Sequence, residues 1–411
     1  MKLNKYFPFA FIYFFVNSLA LPFGLTFTAL LCPLLYWWVV SSAKKEILLP
    51  FFVGLSPFAI MQIIHVVDTR TYIVSLLNYT AVYIFCQAFY TFLKNCRQPE
   101  KIFRKILVIN FLLCVIAIPV YFTSFQEILW MPHTVVNGVA NYNRLKLFTY
   151  EASYYAVLFT PLFFFYLLQV ILRQNTMNSW LLLAMLFLPY LLSFSIGVIG
   201  AALIAIAATC LLYCRILFRK KRVLTLVVIT TGFTACTLLI LLLFFPGNSI
   251  FTRMANIIAG NDTSGNGRTS EAFMLAGQIL QQKSAVWGVG PGQIKILGAD
   301  IIRSYYLYAL DYNTIALPNA AAETFAIFGW MGLALRLTIE LLLFFYTRVW
   351  RNYYRLLLFL FIFLYQFTGS FITNIAEYVI WILAFTNAFP AFDISNRHSP
   401  SLIKTKQTAL A

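Results

Sequence analysis

Long apolar runs separated by short polar connections dominate this chain. A bilayer core about 30 Å thick needs roughly 20 consecutive apolar residues in a helix, and many of the runs approach that length. The pattern predicts about twelve membrane-spanning helices, at 7–22, 24–42, 46–67, 71–93, 106–123, 154–172, 179–194, 196–217, 223–245, 324–346, 354–372 and 376–391. We therefore expect an all-α integral membrane protein.

Composition and charge agree with this interpretation. The chain is 61% hydrophobic and only 10% charged, whereas soluble proteins carry about 25% charged residues. The net charge of +17 does not indicate a nucleic-acid partner, because the cations cluster in connections between apolar runs. These connections are 44–45, 94–105, 215–222 and 348–355. By the positive-inside rule they face the cytoplasm, which predicts two cytoplasmic termini and membrane lipids as the surroundings.

Four regions follow from this topology. Residues 1–245 hold the first nine predicted spans, with a short outer connection at 124–153, and residues 246–323 form a large outer loop. Residues 324–391 hold the last three spans, and 392–411 form a cytoplasmic tail. Long connections without a core of their own are usually functional or disordered. The large loop contains turn residues, a helical period and several cations, so we expect it to be folded and functional.

An amphipathic helix is predicted inside the large loop. Between Thr269 and Lys283, apolar residues recur at helical spacing and form one stripe. Arg268 directly precedes this helix, where free backbone N–H groups also favour anions. Arg268 therefore belongs either to an anion site or to a contact with lipid headgroups. The segment Gly288-Val-Gly-Pro-Gly292 lacks the ending of a phosphate-binding loop and predicts a tight turn back toward the membrane.

Acidic residues are scarce, so those predicted near the outer face are candidates for chemistry. Glu151 and Glu323 each lie at the mouth of a predicted span, where a carboxylate can act as a general base or can interact with a helix N-terminus. Arg336 and Glu340 lie four residues apart within a span, a spacing that predicts an ion pair. Glu377 near the end of the last span is open to either interpretation. With three histidines and no metal-ligand spacing, no metal site or cofactor is expected.

Several short motifs resemble one known family. Ser264-x-x-x-Arg268 precedes the amphipathic helix, Gly288-Val-Gly-Pro-Gly292 follows it, and the segment 318–332 carries an acidic residue and Gly329-x-x-Gly332 into the next span. This arrangement resembles the O-antigen ligase and polymerase superfamily. Tyr150-Glu-Ala-Ser153 is similar to a Glu-Pro-Ser motif of Wzy-type repeat-unit polymerases. The ligase branch typically has a histidine where this chain has Pro318-Asn319, which favours a polymerase and leaves open a ligase that uses another base.

The resemblance implies a GT-C-like, metal-independent glycosyltransferase of the bacterial inner membrane. Such an enzyme would join undecaprenyl-diphosphate-linked oligosaccharide repeat units at the periplasmic face, making O-antigen, capsule or exopolysaccharide, with a chain-length regulator and a flippase as candidate partners. Outward arginines can stabilise a leaving diphosphate. A polytopic transporter or lipid-linked oligosaccharide flippase is the alternative from another class. The site residues that the resemblance suggests are Arg268 and Arg144 for the diphosphate, Arg303 and Arg253 as further cations, Glu151 as the base or acceptor-orienting group, and Glu323 as the alternative carboxylate.

Overall fold

The computed structural model describes residues 6–18, 26–43, 46–64, 67–135, 139–174, 177–213, 259, 263–306 and 315–394. The predicted ninth span, Arg253 and nearly all of the predicted tail lie outside these ranges. The described part is mostly helical. Its helices are α1 Phe7–Phe11, continued by a π-helix Ile12–Val16, α2 Phe27–Leu30, α3 Cys32–Ala43, α4 Leu48–Ile64, α5 Thr69–Asn95, α6 Pro99–Val120, α7 Gln126–Leu129, α8 Ala152–Leu172, α9 Ser179–Ser193, α10 Ile196–Leu212, α11 Thr263–Asn266, α12 Ser270–Leu280, α13 Ile294–Leu297, α14 Ala299–Tyr306, α15 Ala320–Tyr346, α16 Tyr353–Tyr365 and α17 Ile375–Phe385.

Four of these helices, α5, α6, α8 and α15, are long and apolar enough to cross a membrane. Six further apolar segments in the described ranges are shorter: Phe7–Val16, α4, α9, α10, α16 and α17. The predicted span 354–372 is helical only to Tyr365, and the predicted span 376–391 only to Phe385. The fold is therefore that of a mostly helical membrane protein, whereas the number of twelve crossings stays a prediction.

The connection at 124–153 contains a β-hairpin, an element that the pattern of apolar runs did not predict. Strands β1 Trp130–Val135 and β2 Val139–Leu145 pair antiparallel, with Met131 opposite Arg144. The hairpin is anchored on the helices because Trp130 Nε1 donates to the Ala117 carbonyl at 2.8 Å and Leu145 is fully buried. The Asn137-Gly138 pair between β-branched residues is a typical hairpin signal, although those two residues lie outside the described ranges.

Helix α8 is the most deeply buried of the four long helices, with 72% of its apolar window inside the protein. Its aromatic residues pack on α16 and on the segment that follows α17, where Phe165 contacts Tyr354 and Phe389. Phe163 stacks on Tyr190 of α9 at 4.7 Å between ring centroids. Glu151 therefore lies at the N-terminal end of the most deeply buried long helix.

Helix α15 is interrupted at Gly329, and the turn formed by the Gly288 segment fills the break. Gly329 adopts φ +66°, a left-handed conformation that glycine alone adopts easily. Backbone hydrogen bonds join the two segments in both directions. Val289 N of the turn donates to the Ala326 carbonyl at 3.0 Å, and Trp330 N of the helix donates to the Ala285 carbonyl, just before the turn, at 3.0 Å. At Gly288 a β-carbon would lie 2.2 Å from a carbonyl oxygen of α15. The predicted tight turn is present, and it satisfies backbone groups that the broken helix exposes.

The amphipathic helix predicted after Arg268 is confirmed as α12. Its buried face consists of the predicted stripe, Ala272, Leu275, Ala276, Ile279 and Leu280, and it packs in one apolar cluster with α15. Apolar burial of this kind stabilises the pairing of two helices by roughly 1.5–3 kcal/mol for each large side chain removed from water. The large loop is thus attached to α15 by its own hydrophobic face.

Candidate functional site

Arg144 is held by the hairpin against the end of α9. Its position on β2, opposite Met131, brings its side chain next to Ser193, the last residue of α9, and its Nε donates to the Ser193 carbonyl at 3.1 Å. Only 8% of the residue is exposed. A predicted diphosphate ligand is therefore not a flexible surface arginine but a buried cation fixed by a folded element.

Glu151 occupies the position just before α8. Its carboxylate does not cap the helix, and its Oε1 instead accepts a hydrogen bond from the Ser153 hydroxyl. Thr149 Oγ1 donates to the Glu151 carbonyl at 2.9 Å. The Tyr150-Glu-Ala-Ser153 pattern therefore forms a local hydrogen-bonded turn that fixes the carboxylate at the mouth of α8.

Arg268 is fixed through its backbone by a residue from a distant part of the sequence. Asn319 is fully buried, and its Nδ2 donates to the Arg268 carbonyl at 2.8 Å and to the Phe367 carbonyl at 2.7 Å. The same side chain accepts from Ala322 N through Oδ1 at 2.8 Å and so caps α15. One asparagine therefore joins the residue before α12, the start of α15 and the segment after α16.

Arg144, Glu151 and Arg268 all act electrostatically on Tyr365, the last residue of α16. Tyr365 is 4% exposed, and the charges that act on its hydroxyl come from Arg268, Glu151, Glu377 and Arg144. These residues come from four separate segments of the chain. The charges of Arg144, Glu151 and Arg268 thus all act on Tyr365, together with that of Glu377, which sequence reasoning did not assign to the site. We call these residues the Tyr365 cluster.

Tyr150 belongs to the same cluster. Its ring packs on Tyr154 at 4.8 Å between centroids, and 47% of its surface is exposed. Desolvation raises the pKa of Tyr150 well above its usual value of 10, while Tyr154 and Glu151 raise it further and Arg268 opposes the shift. Tyr150 therefore stays protonated at neutral pH and can donate a hydrogen bond beside Glu151.

Glu323, the alternative carboxylate, lies in a neighbouring network rather than at Tyr365. It sits in the first turn of α15, and its Oε2 accepts from Ile372 N at 2.7 Å. The charges that act on it come from Arg336, Glu377 and Lys295. Glu323 thus fastens α15 to the non-helical segment between α16 and α17, and Glu377 is the residue that both clusters share.

A buried ionic network surrounds Arg336. The predicted pair with Glu340 is present, with Nε to Oε1 at 3.2 Å, but Arg336 also forms an ion pair with Glu377 through its NH2 group. Gln366 accepts from Arg336 Nε at 2.8 Å and donates to Glu340 Oε2 at 2.7 Å. Ser370, in a left-handed conformation with φ 70°, donates to Glu377 Oε2 at 2.5 Å. The sequence spacing revealed the local partner and not the one 41 residues away.

The other two predicted cations are Arg303 and Arg253. Arg303 lies exposed on α14 and is not among the charges that act on Tyr365 or Tyr150. Arg253 lies outside the described residues.

Comparison of the chain with protein-family models and with curated proteins finds no match.

Proposed function

We propose that this chain is a membrane glycosyltransferase that polymerises undecaprenyl-diphosphate-linked oligosaccharide repeat units at the periplasmic face of the bacterial inner membrane. Its product would be an O-antigen, a capsule or an exopolysaccharide. The observation that supports this proposal is the cluster at Tyr365, where Arg268 and Arg144 lie in the same electrostatic environment as Glu151. Two arginines and a carboxylate whose charges act on the same tyrosine suit the displacement of an anionic leaving group by a hydroxyl.

In this reaction the arginines act on the leaving group and the carboxylate acts on the acceptor. An acceptor hydroxyl attacks the anomeric carbon of the donor sugar, and the bond between that carbon and the phosphate oxygen breaks. The electron pair leaves with the lipid diphosphate, whose charge Arg268 and Arg144 stabilise without reorganising at the moment of reaction. Glu151, oriented by Ser153, accepts the proton of the acceptor hydroxyl. Tyr365 and Tyr150 supply hydroxyl groups within the same cluster.

A second function, transport or flipping of a lipid-linked oligosaccharide, is favoured by a different observation. Arg336, Glu340 and Glu377 form their ionic network inside apolar helices, and intramembrane ionisable groups are common in transporters. The Tyr365 cluster is not needed for such a function. Variants of the two clusters therefore distinguish the two proposals.

Reconstitution tests the polymerase directly. The purified chain in proteoliposomes receives lipid-diphosphate-linked repeat units, and the products are resolved as a ladder on a gel. We expect the wild type to make a ladder that Arg268→Ala and Arg144→Ala lose, while Arg303→Ala, an exposed arginine outside the cluster, keeps it. A full ladder from Arg268→Ala would contradict the proposed chemistry. Transfer of preformed glycan to a different acceptor, without a ladder, would favour a ligase, and movement of substrate without a new bond would favour a transporter.

A further inference from the structure

A cavity of about 310 Å³ lies beside the Tyr365 cluster. Its walls come from the end of the first helix, from α2, from α5, from the start of α8 and from the non-helical segment before α17. Its lining includes Asn17, Asn78, Tyr150, Tyr154 and Thr373. The cavity is therefore built mainly by residues outside the arginine cluster, and Tyr150 is where the two meet.

No described residue that lines the cavity carries a charge, although most of them are polar. Asparagine, serine, threonine and tyrosine side chains form hydrogen bonds with hydroxyl and amide groups, and they leave a phosphate or a carboxylate without a counter-ion. The volume is at the lower end of the range for ligand pockets, roughly 300–1,000 Å³. These properties exclude the lipid diphosphate as the occupant and fit a small ligand rich in hydroxyl groups.

Asn17 provides an independent indication of a ligand. The residue is 2% exposed, its Oδ1 accepts from the Tyr154 hydroxyl at 3.4 Å, and its Nδ2 has no hydrogen-bond partner among the described residues. Buried amide donors are nearly always paired. Since Asn17 lines the cavity, an oxygen atom of a molecule bound there would satisfy this donor.

We propose that the cavity binds a neutral sugar unit, and that this unit is the acceptor end of the glycan. The acceptor assignment rests on the proposed function, whereas binding of a neutral sugar does not. Tyr150 presents a partly exposed ring to the cavity, and sugars stack on such rings. Tyr150 directly precedes Glu151 in the chain, so the wall of the cavity adjoins the residue that carries the proposed base.

Direct binding tests the first half of the proposal. Saturation-transfer NMR on the purified full-length chain in detergent uses glucose, galactose, rhamnose and N-acetylglucosamine as probes, with glucuronate as the anionic counterpart. We expect at least one neutral sugar to receive saturation and glucuronate to receive none. Asn78→Ala and the isosteric Thr373→Val should weaken binding about tenfold, the effect of one lost hydrogen bond. Asn95→Ala, an exposed asparagine at the other end of the same helix, is the matched control and should bind normally.

Three results would overturn the proposal: no neutral sugar binds, glucuronate binds equally well, or the cavity variants bind as well as Asn95→Ala. The first would leave the cavity without a sugar ligand, the second would indicate a site that does not prefer neutral ligands, and the third would place the bound sugar elsewhere on the protein. The polymerisation assay tests the acceptor assignment, since Asn78→Ala and Thr373→Val should raise the acceptor KM and leave kcat nearly unchanged. If the wild type binds sugars and makes no polymer, the proposed function fails and the sugar site stands. If it makes polymer and binds no sugar, the sugar site fails and the proposed function stands.

Discussion

Replacing Asn319 by alanine should displace Arg268 without touching its side chain. Asn319 makes three hydrogen bonds, to the Arg268 carbonyl, to the Phe367 carbonyl and from Ala322 N. Its removal frees the residue before α12 from the start of α15. We therefore expect Asn319→Ala to lose polymer formation nearly as completely as Arg268→Ala, because the catalytic geometry depends on fixed cations.

The expected loss of stability follows from the same three bonds. Loss of the helix cap costs about 1 kcal/mol, and each carbonyl left without its donor costs about 1–3 kcal/mol when it is buried. Since the bonds to the two carbonyls are partly buried, the lower part of that range applies, and the total is roughly 3–4 kcal/mol. The protein should still fold, with a lowered melting temperature in detergent.

Asn352 is the matched control for this prediction. It caps α16 through Oδ1 to Arg355 N at 3.1 Å, and its Nδ2 donates to the Phe389 carbonyl at 3.0 Å and to Asp393 at 2.7 Å. It is as deeply buried as Asn319 and lies at the opposite end of α16 from Tyr365, about 20 Å away along the helix. Asn352→Ala should lower the melting temperature comparably and keep the polymer ladder. Equal ladders from the two variants at equal stability would refute the positioning role of Asn319.

Three further predictions concern single side chains. Glu151→Gln should reduce turnover about 100-fold or more with unchanged melting temperature, and retained turnover would remove Glu151 as the base. Arg336→Met leaves fully buried Glu377 without its ion partner and should destabilise the protein by about 3–5 kcal/mol; adding Glu377→Met should recover part of this loss, and a double variant no more stable than the single one would contradict the reasoning. Gly288→Ala should lower the melting temperature strongly, because its β-carbon would lie 2.2 Å from a carbonyl oxygen, whereas Gly277→Ala has nothing within 4 Å and should be tolerated; equal melting temperatures would argue against the close approach.

The features that the sequence predicted correctly are those formed by residues close together along the chain. The stripe of α12 follows from helical period over eleven residues, because burial of one helix face depends on spacing alone. The Arg336–Glu340 pair follows from a separation of one helical turn. In both cases the residues that interact are close in sequence, so their spacing is enough to predict the contact.

Contacts between distant segments could not be predicted from the spacing of residues. Glu377 pairs with Arg336 across two helices, and no feature of either residue's own surroundings in the sequence indicates its partner. Asn319 did carry a usable signal, since an asparagine before Ala320-Ala-Ala-Glu323 is a typical helix cap. Its second role, the hydrogen bonds of its amide nitrogen to Arg268 and Phe367, depends on the tertiary fold and could not be predicted.

The segment 366–374 explains why the candidate site lies where it does. A non-helical segment inside an apolar helical bundle is tolerated where protein groups satisfy its backbone or where it lines a cavity, and this one does both. Carbonyls after α16 accept from the first N–H groups of α15, with Ala320 N to the Gly369 carbonyl and Ala321 N to the Gln366 carbonyl each at 3.1 Å. Ile372 N finds its partner in Glu323 at 2.7 Å, while its neighbours on either side line the cavity. Because the start of α15 and a carboxylate satisfy this backbone, polar groups can collect at one place in an otherwise apolar bundle, and that place adjoins Tyr365.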